Sequence, residues 1–153
     1  MTLMDFQRQD AKTPRAAPAE PARPREPSCE DDSVARAIVH AAYRVHYELG
    51  PGLLEGVYEV CFCHELRKAN LRVQRQVAVP ILYDGLRFDQ GLELDVLVED
   101  RVVCELKAVE RIAAVHRAQL LSYLRLTGHP LGFLINFHVP LIKRGIHRII
   151  LDT

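Results

Sequence analysis

From Ser33 onward, apolar residues recur at helical spacing. Val34, Ile38, Ala41, Ala42, Val45 and Leu49 share one face, with Ser33 placed to cap the start and Gly50-Pro51 to stop the helix. A second helix is expected from about Leu53 to Ala69, ending at Asn70. Residues 71–82 read as one or two strands, and Tyr83-Asp84-Gly85 is a hairpin turn signal before Leu86-Arg87-Phe88. Two period-2 runs follow: Leu94, Val96 and Val98 alternate with Glu93, Asp95 and Leu97, while Val102, Cys104 and Leu106 alternate with Val103, Glu105 and Lys107. A helix from about Ala113 to Thr127 should bury Ile112, Leu120, Leu121 and Leu124 and stop at Gly128. The nearly all-apolar LGFLINF (131–137) is expected as a central strand, and IHRIIL (146–151) as the last one. No internal repeat is present.

The two alternating runs carry chemistry. With a three-residue loop at 99–101, the facing pairs are 98/102, 97/103, 96/104 and 95/105. Asp95 and Glu105 then lie opposite each other with Cβ atoms roughly 4.5–5.5 Å apart, and Lys107 shares their face. A two-residue loop would put one strand's apolar set on the wrong face. Facing carboxylates repel and desolvate each other, a cost that a divalent cation removes, and oxygen donors of this kind suit Mg²⁺ or Mn²⁺. The bland alternative is a charged, solvated outer face on which Glu105 and Lys107 form a weak surface pair.

Composition sets the boundaries. The chain has 153 residues, with 20 Lys+Arg balancing 20 Asp+Glu and 48% hydrophobic residues, which excludes a histone-like basic binder, an acidic solvating chain and global disorder. No apolar run is long enough to span a bilayer, and the start lacks the basic and apolar regions of a secretory signal, so a cytoplasmic protein is expected. Cys29, Cys61, Cys63 and Cys104 have no metal or local disulfide spacing and are expected as free thiols. Five prolines crowd residues 14–27, so residues 1–32 are expected to form a disordered tail and residues 33–153 the single domain. The tail's prolines suit a polyproline II ligand, admitting a protein partner there. The histidines are scattered and none forms an H-x-x-x-H pair, which argues against zinc.

Asp95…Glu105-Leu106-Lys107 resembles the core motif of the PD-(D/E)XK nuclease-like superfamily. Gly52-Leu53-Leu54-Glu55-Gly56-Val57-Tyr58 matches the signature of its GxxExxY family, and the likeness continues through Tyr83-Asp84-Gly85, Gln119-Leu120-Leu121-Ser122-Tyr123-Leu124 and LGFLINF, over about residues 34–151. The resemblance implies an α/β (α+β mixed-sheet) fold with a restriction-endonuclease-like core, in which helices flank a central mixed sheet carrying the Asp…Glu-x-Lys hairpin. It implies that Asp95 and Glu105 ligate Mg²⁺ or Mn²⁺ with the Leu106 carbonyl, that Glu55 reaches the metal or its water from the preceding helix, and that Lys107 orients the attacking water. Gln119 would border the site. Leu94 stands where a proline often precedes the acid, and Glu93 is a further acid without an implied role.

These extra residues also have structural readings. Glu55 favours the helix dipole in a first turn, Tyr58 is expected to pack with its hydroxyl bonded to a polar group, and Gln119 and Tyr123 form an i,i+4 pair. After residue 33 the chain is only slightly basic, but Arg111, His116 and Arg117 follow the Glu-Leu-Lys strand, and Lys143, Arg144, His147 and Arg148 cluster near the end. Flanking the carboxylates, they would hold phosphates. The reading is a metal-dependent nuclease acting on nucleic acid, DNA rather than RNA, with a homodimer admitted and no membrane. The alternative is a non-hydrolytic nucleic-acid- or protein-binding module that keeps the fold, its affinity carried by Arg111, Arg117, Lys143 and Arg144.

Overall fold

A computed structural model describes residues 25–152. The elements run α1 (Cys29–Leu49), α2 (Glu55–Lys68), β1 (Val73–Tyr83), β2 (Leu86–Val98), β3 (Val102–Lys107), α3 (Ala114–Thr127), β4 (Leu131–Asn136), α4 (Ile142–Gly145) and β5 (Ile146–Ile150). The five strands form one sheet in chain order, antiparallel except for the parallel β3–β4 pair. This is the mixed α+β sheet expected. The parallel pair needs a crossover, and α3 supplies it.

Each sheet face has its own core. Val96, Val98, Val102, Cys104, Leu106, Phe133 and Ile135 pack beneath α1 and α2. Leu97, Val103 and Leu134 pack beneath α3, whose Leu120, Tyr123 and Leu124 cover them. The alternation of β3 therefore holds as expected, sending Glu105 and Lys107 to the α3 face. Leu94 departs from expectation. It joins the α3-side cluster with Leu97 instead of sharing a face with Val96 and Val98, because the regular β2–β3 pairing ends at Val96↔Cys104 and the strand is no longer held in phase.

The start of α1 also moves. The helix begins at Cys29, and Ser33, expected as its cap, lies inside it. Ser28 is the N-cap, and its hydroxyl and Asp31 form a reciprocal capping box. Asp31 is fully buried, paired to Arg25 at 2.6 Å and to Arg101 at 3.4 Å. The guanidinium of Arg25 holds its carboxyl well below the usual range, against the opposing effect of burial. The domain boundary expected at 32/33 therefore falls within α1. The disorder expected for residues 1–24 lies outside the described residues.

Smaller differences have local causes. α2 starts at Glu55 rather than Leu53, after a turn containing Gly52 at φ 103°. β1 is one strand despite Pro80, which edge position and a register shift between Val79 and Ile81 accommodate. β2 continues through Phe88–Leu92, where alternation is absent. β4 is interior and wholly buried. The four cysteines are free, and burial pushes the Cys63 thiol up to about 11. No helix among the described residues is long and apolar enough to cross a membrane.

Candidate active site

The β2–β3 hairpin has the three-residue loop and the 98/102, 97/103 and 96/104 pairs expected. At Asp95 and Glu105 the strands part, and side chains replace the ladder. The Leu106 amide donates to Asp95 Oδ2 at 2.9 Å, and the Asp95 amide donates to Glu105 Oε1 at 3.2 Å. The two carboxylates are thus brought together by crossed bonds to each other's strand. Glu105 is only 3% exposed, in a fold that otherwise buries few charges. Burial, then the Asp95 charge, pushes its carboxyl strongly up; burial likewise raises Asp95, against the Leu106 amide, which favours its ionised form. Both effects favour a protonated form of the pair over two ionised carboxylates.

Lys107 follows on the same face at the end of β3, half-buried. Its backbone is anchored from β4, the Phe137 amide donating to the Lys107 carbonyl at 2.9 Å. Phe137 in turn stacks on Tyr58, with ring centroids 4.7 Å apart and planes within 5°. The buried Tyr58 hydroxyl donates to the Gly50 carbonyl at 2.6 Å and accepts the Leu53 amide at 3.0 Å. Tyr58 thus packs as expected, and it closes the turn that launches α2. One aromatic stack joins the Gly52–Tyr58 motif to the strand carrying the lysine.

Glu55 stands in the first turn of α2. Partial burial raises its carboxyl, the Lys107 charge lowers it, and the Asp95 charge raises it again, so the three groups share one electrostatic field. Glu55 makes no direct bond to Asp95 or Glu105. Among the described residues, no three Asp, Glu, His or Cys side chains form a closed metal cage. What exists is an acid pair, Glu105 buried and Asp95 half-buried, with a third acid standing off, all oxygen donors of the kind that Mg²⁺ or Mn²⁺ accepts.

Gln119 is exposed on α3 and donates to the Tyr123 hydroxyl at 2.5 Å. Burial and then the Glu105 charge raise the Tyr123 phenol, so this pair borders the acids. His116 accepts the Ala113 amide through Nδ1 and caps α3. Glu93 is exposed.

Glu59 was not legible as a site residue, although it lies one turn after Glu55. It is 6% exposed, bonded by Arg75 Nε and by Gln76 Nε2, each at 3.0 Å. Its charge raises both Glu55 and Asp95. Gln76 adopts φ 51° at the register position that would face Asp95, which turns its side chain toward α2. That conformation costs on the order of 1 kcal/mol, offset by the bonds to Glu59.

The expected C-terminal basic cluster divides. Arg148 turns to the α1 side and pairs with Asp32 at 2.8 Å, whereas His147 lies on the α3 side and accepts from Arg117 at 3.0 Å. Among curated proteins and among solved structures, no match is found. A family model described as the PD-(D/E)XK nuclease superfamily matches residues 32–149.

Proposed function

Because the chain belongs to the PD-(D/E)XK nuclease superfamily, we propose that it is a metal-dependent nuclease of the GxxExxY group that hydrolyses nucleic acid, DNA in preference to RNA. The observation that carries this reading is the pair formed by buried Glu105 and half-buried Asp95 at the strand split, with Lys107 on the same face. Holding two facing, desolvated carboxylates in their ionised form has a cost that Lys107 offsets in part and a bound cation would offset further.

Asp95 and Glu105 would hold Mg²⁺ or Mn²⁺ with the Leu106 carbonyl, and Glu55 would act through water, since it makes no direct bond to the pair. When bound, the cation supplies positive charge at the scissile phosphate and makes water acidic enough to lose a proton near neutral pH. The protein's own residues do the rest. Lys107, fixed through Phe137, orients the attacking water and stabilises charge growing on the phosphate. Gln119, held by Tyr123, bounds the site and leaves its carbonyl free to accept a bond from substrate or water. Loss of a shared proton to solvent, which a bound cation would favour, would set both carboxylates in their ligating form.

Incubation of the purified protein with labelled DNA and RNA in Mg²⁺ and Mn²⁺ tests the reading. Wild type should cut, and Lys107→Ala should cut about a hundredfold or more slowly while binding the cation equally well. Equal rates would place the activity elsewhere. Binding without cleavage by either protein would favour a non-hydrolytic module.

A further inference from the structure

A second feature lies beside the acids, on the same face of the sheet. Beyond the parallel ends of β3 and β4 is a cavity of about 350 Å³, lined by Arg111, Arg117, Arg144, His147, Asn136 and Glu110 among others. Its arginines come from three places: the β3–α3 connection, α3 and α4. Among the described residues, no carboxylate pairs with Arg111, Arg117 or Arg144, whereas Arg25, Arg72, Arg75, Arg101 and Arg148 are each paired. Three converging guanidiniums against one exposed glutamate leave a local positive excess in a chain of zero net charge.

The cavity is built, not merely lined. Asn136 is 2% exposed and bonded at both side-chain polar atoms: it donates to the Val109 carbonyl at 2.7 Å and accepts the Val109 and His138 amides at 3.1 and 3.2 Å. That ties the exit of β3 to the exit of β4. The His147 ring accepts from Arg117 through Nδ1, which fixes one guanidinium. Burial and the Arg117 charge both shift that ring toward its neutral, accepting form.

Register sets the distance to the acids. Glu105 pairs with Leu134, Leu134 with His147, and Lys107 with Asn136. Two strand spacings, roughly 10 Å, therefore separate Glu105 from His147. We infer that this cavity is a phosphate subsite, in which Arg111, Arg117 and Arg144 hold a backbone phosphate of the nucleic acid next to the one being cut. The inference deepens the nuclease reading and rests on it. Guanidiniums without carboxylate partners match phosphate geometry bidentately.

The test measures binding of a labelled single-stranded deoxyoligonucleotide in Ca²⁺, across a salt series, with inorganic phosphate as competitor. Arg111→Ala/Arg144→Ala removes two exposed side chains from the cavity. Arg67→Ala/Arg125→Ala makes the same charge change on exposed positions of α2 and α3. The cavity variant should bind at least tenfold more weakly, with a salt slope shallower by about 0.7, and inorganic phosphate should compete less well than against wild type. The remote variant should stay close to wild type. Equal losses in both variants, or none in either, would overturn the subsite. Cleavage by wild type with undiminished binding by the cavity variant would overturn it while leaving the nuclease intact. Subsite-dependent binding without cleavage would do the reverse. No binding by wild type would overturn both.

Discussion

Replacing Glu105 by Gln keeps the shape of the site and removes its titration. In the folded protein, burial and the Asp95 charge hold the Glu105 carboxyl above its ordinary value; in the unfolded chain it returns to about 4.3. Between those two values the folded state binds more protons than the unfolded one, so stability must fall as pH rises through the window. The limiting slope for one proton is about 1.4 kcal/mol per pH unit. Because Asp95 shares the proton and the site relaxes, the metal-free protein should lose on the order of 2 kcal/mol from about pH 5 to about pH 8 through this pair. Other groups titrate alike in wild type and Glu105→Gln, so the difference between the two proteins isolates the pair. Urea unfolding in a chelating buffer measures it. The variant should match or exceed wild type in stability at the alkaline end, with the gap closing toward acid. Mn²⁺ at ten times its dissociation constant should then restore about 1.4 kcal/mol to wild type and little to the variant. Parallel stability–pH profiles would refute the reasoning, because a carboxylate pair that costs nothing to ionise needs no cation.

Asp95→Asn should likewise abolish the rise in melting temperature that Mn²⁺ gives wild type, and an equal shift in both proteins would exclude Asp95 as a ligand. Tyr58→Phe keeps the stack on Phe137 but strands the Gly50 carbonyl and the Leu53 amide, and should cost about 1–3 kcal/mol by urea titration. Gly145→Ala would set a Cβ 2.1 Å from the Asn136 carbonyl oxygen, a backbone clash no rotamer relieves; a loss of about 1–3 kcal/mol by thermal melting is expected. Truncation through residue 32 removes Ser28, Asp31 and Asp32 together, and should lower stability by at least the roughly 1 kcal/mol of a helix cap.

Much of this was legible because it rests on periodicity. The hairpin register follows from apolar alternation on β3 and a three-residue loop, and it places Asp95, Glu105 and Lys107 together before any coordinates are known. What escaped depends on departures from periodicity. Leu94 reads as in phase with Val96 because alternation assumes an unbroken ladder, and the ladder breaks one residue earlier. Ser28-x-x-Asp31 is a capping-box signature, but the prolines before it make the whole stretch look like tail. Glu59 reads as one more polar helix position, since its partners Arg75 and Gln76 are remote in sequence and one reaches it only through a left-handed backbone. The division of the C-terminal basic cluster follows from strand alternation in β5, but its partners, Asp32 and Arg117, are fixed only by the packing of distant helices.

The crossed bonds at the strand split make the Leu106 amide a gauge of the site. That N–H is held by a carboxylate oxygen rather than by a neighbouring strand's carbonyl. A charged acceptor binds an amide more strongly than a neutral one. The nitrogen and proton resonances of Leu106, and the rate at which its hydrogen trades with solvent, therefore track whether Asp95 is ionised, protonated or drawn onto a cation. A single backbone nucleus, needing no substrate and no label beyond isotope, reports the charge state of the Asp95–Glu105 pair.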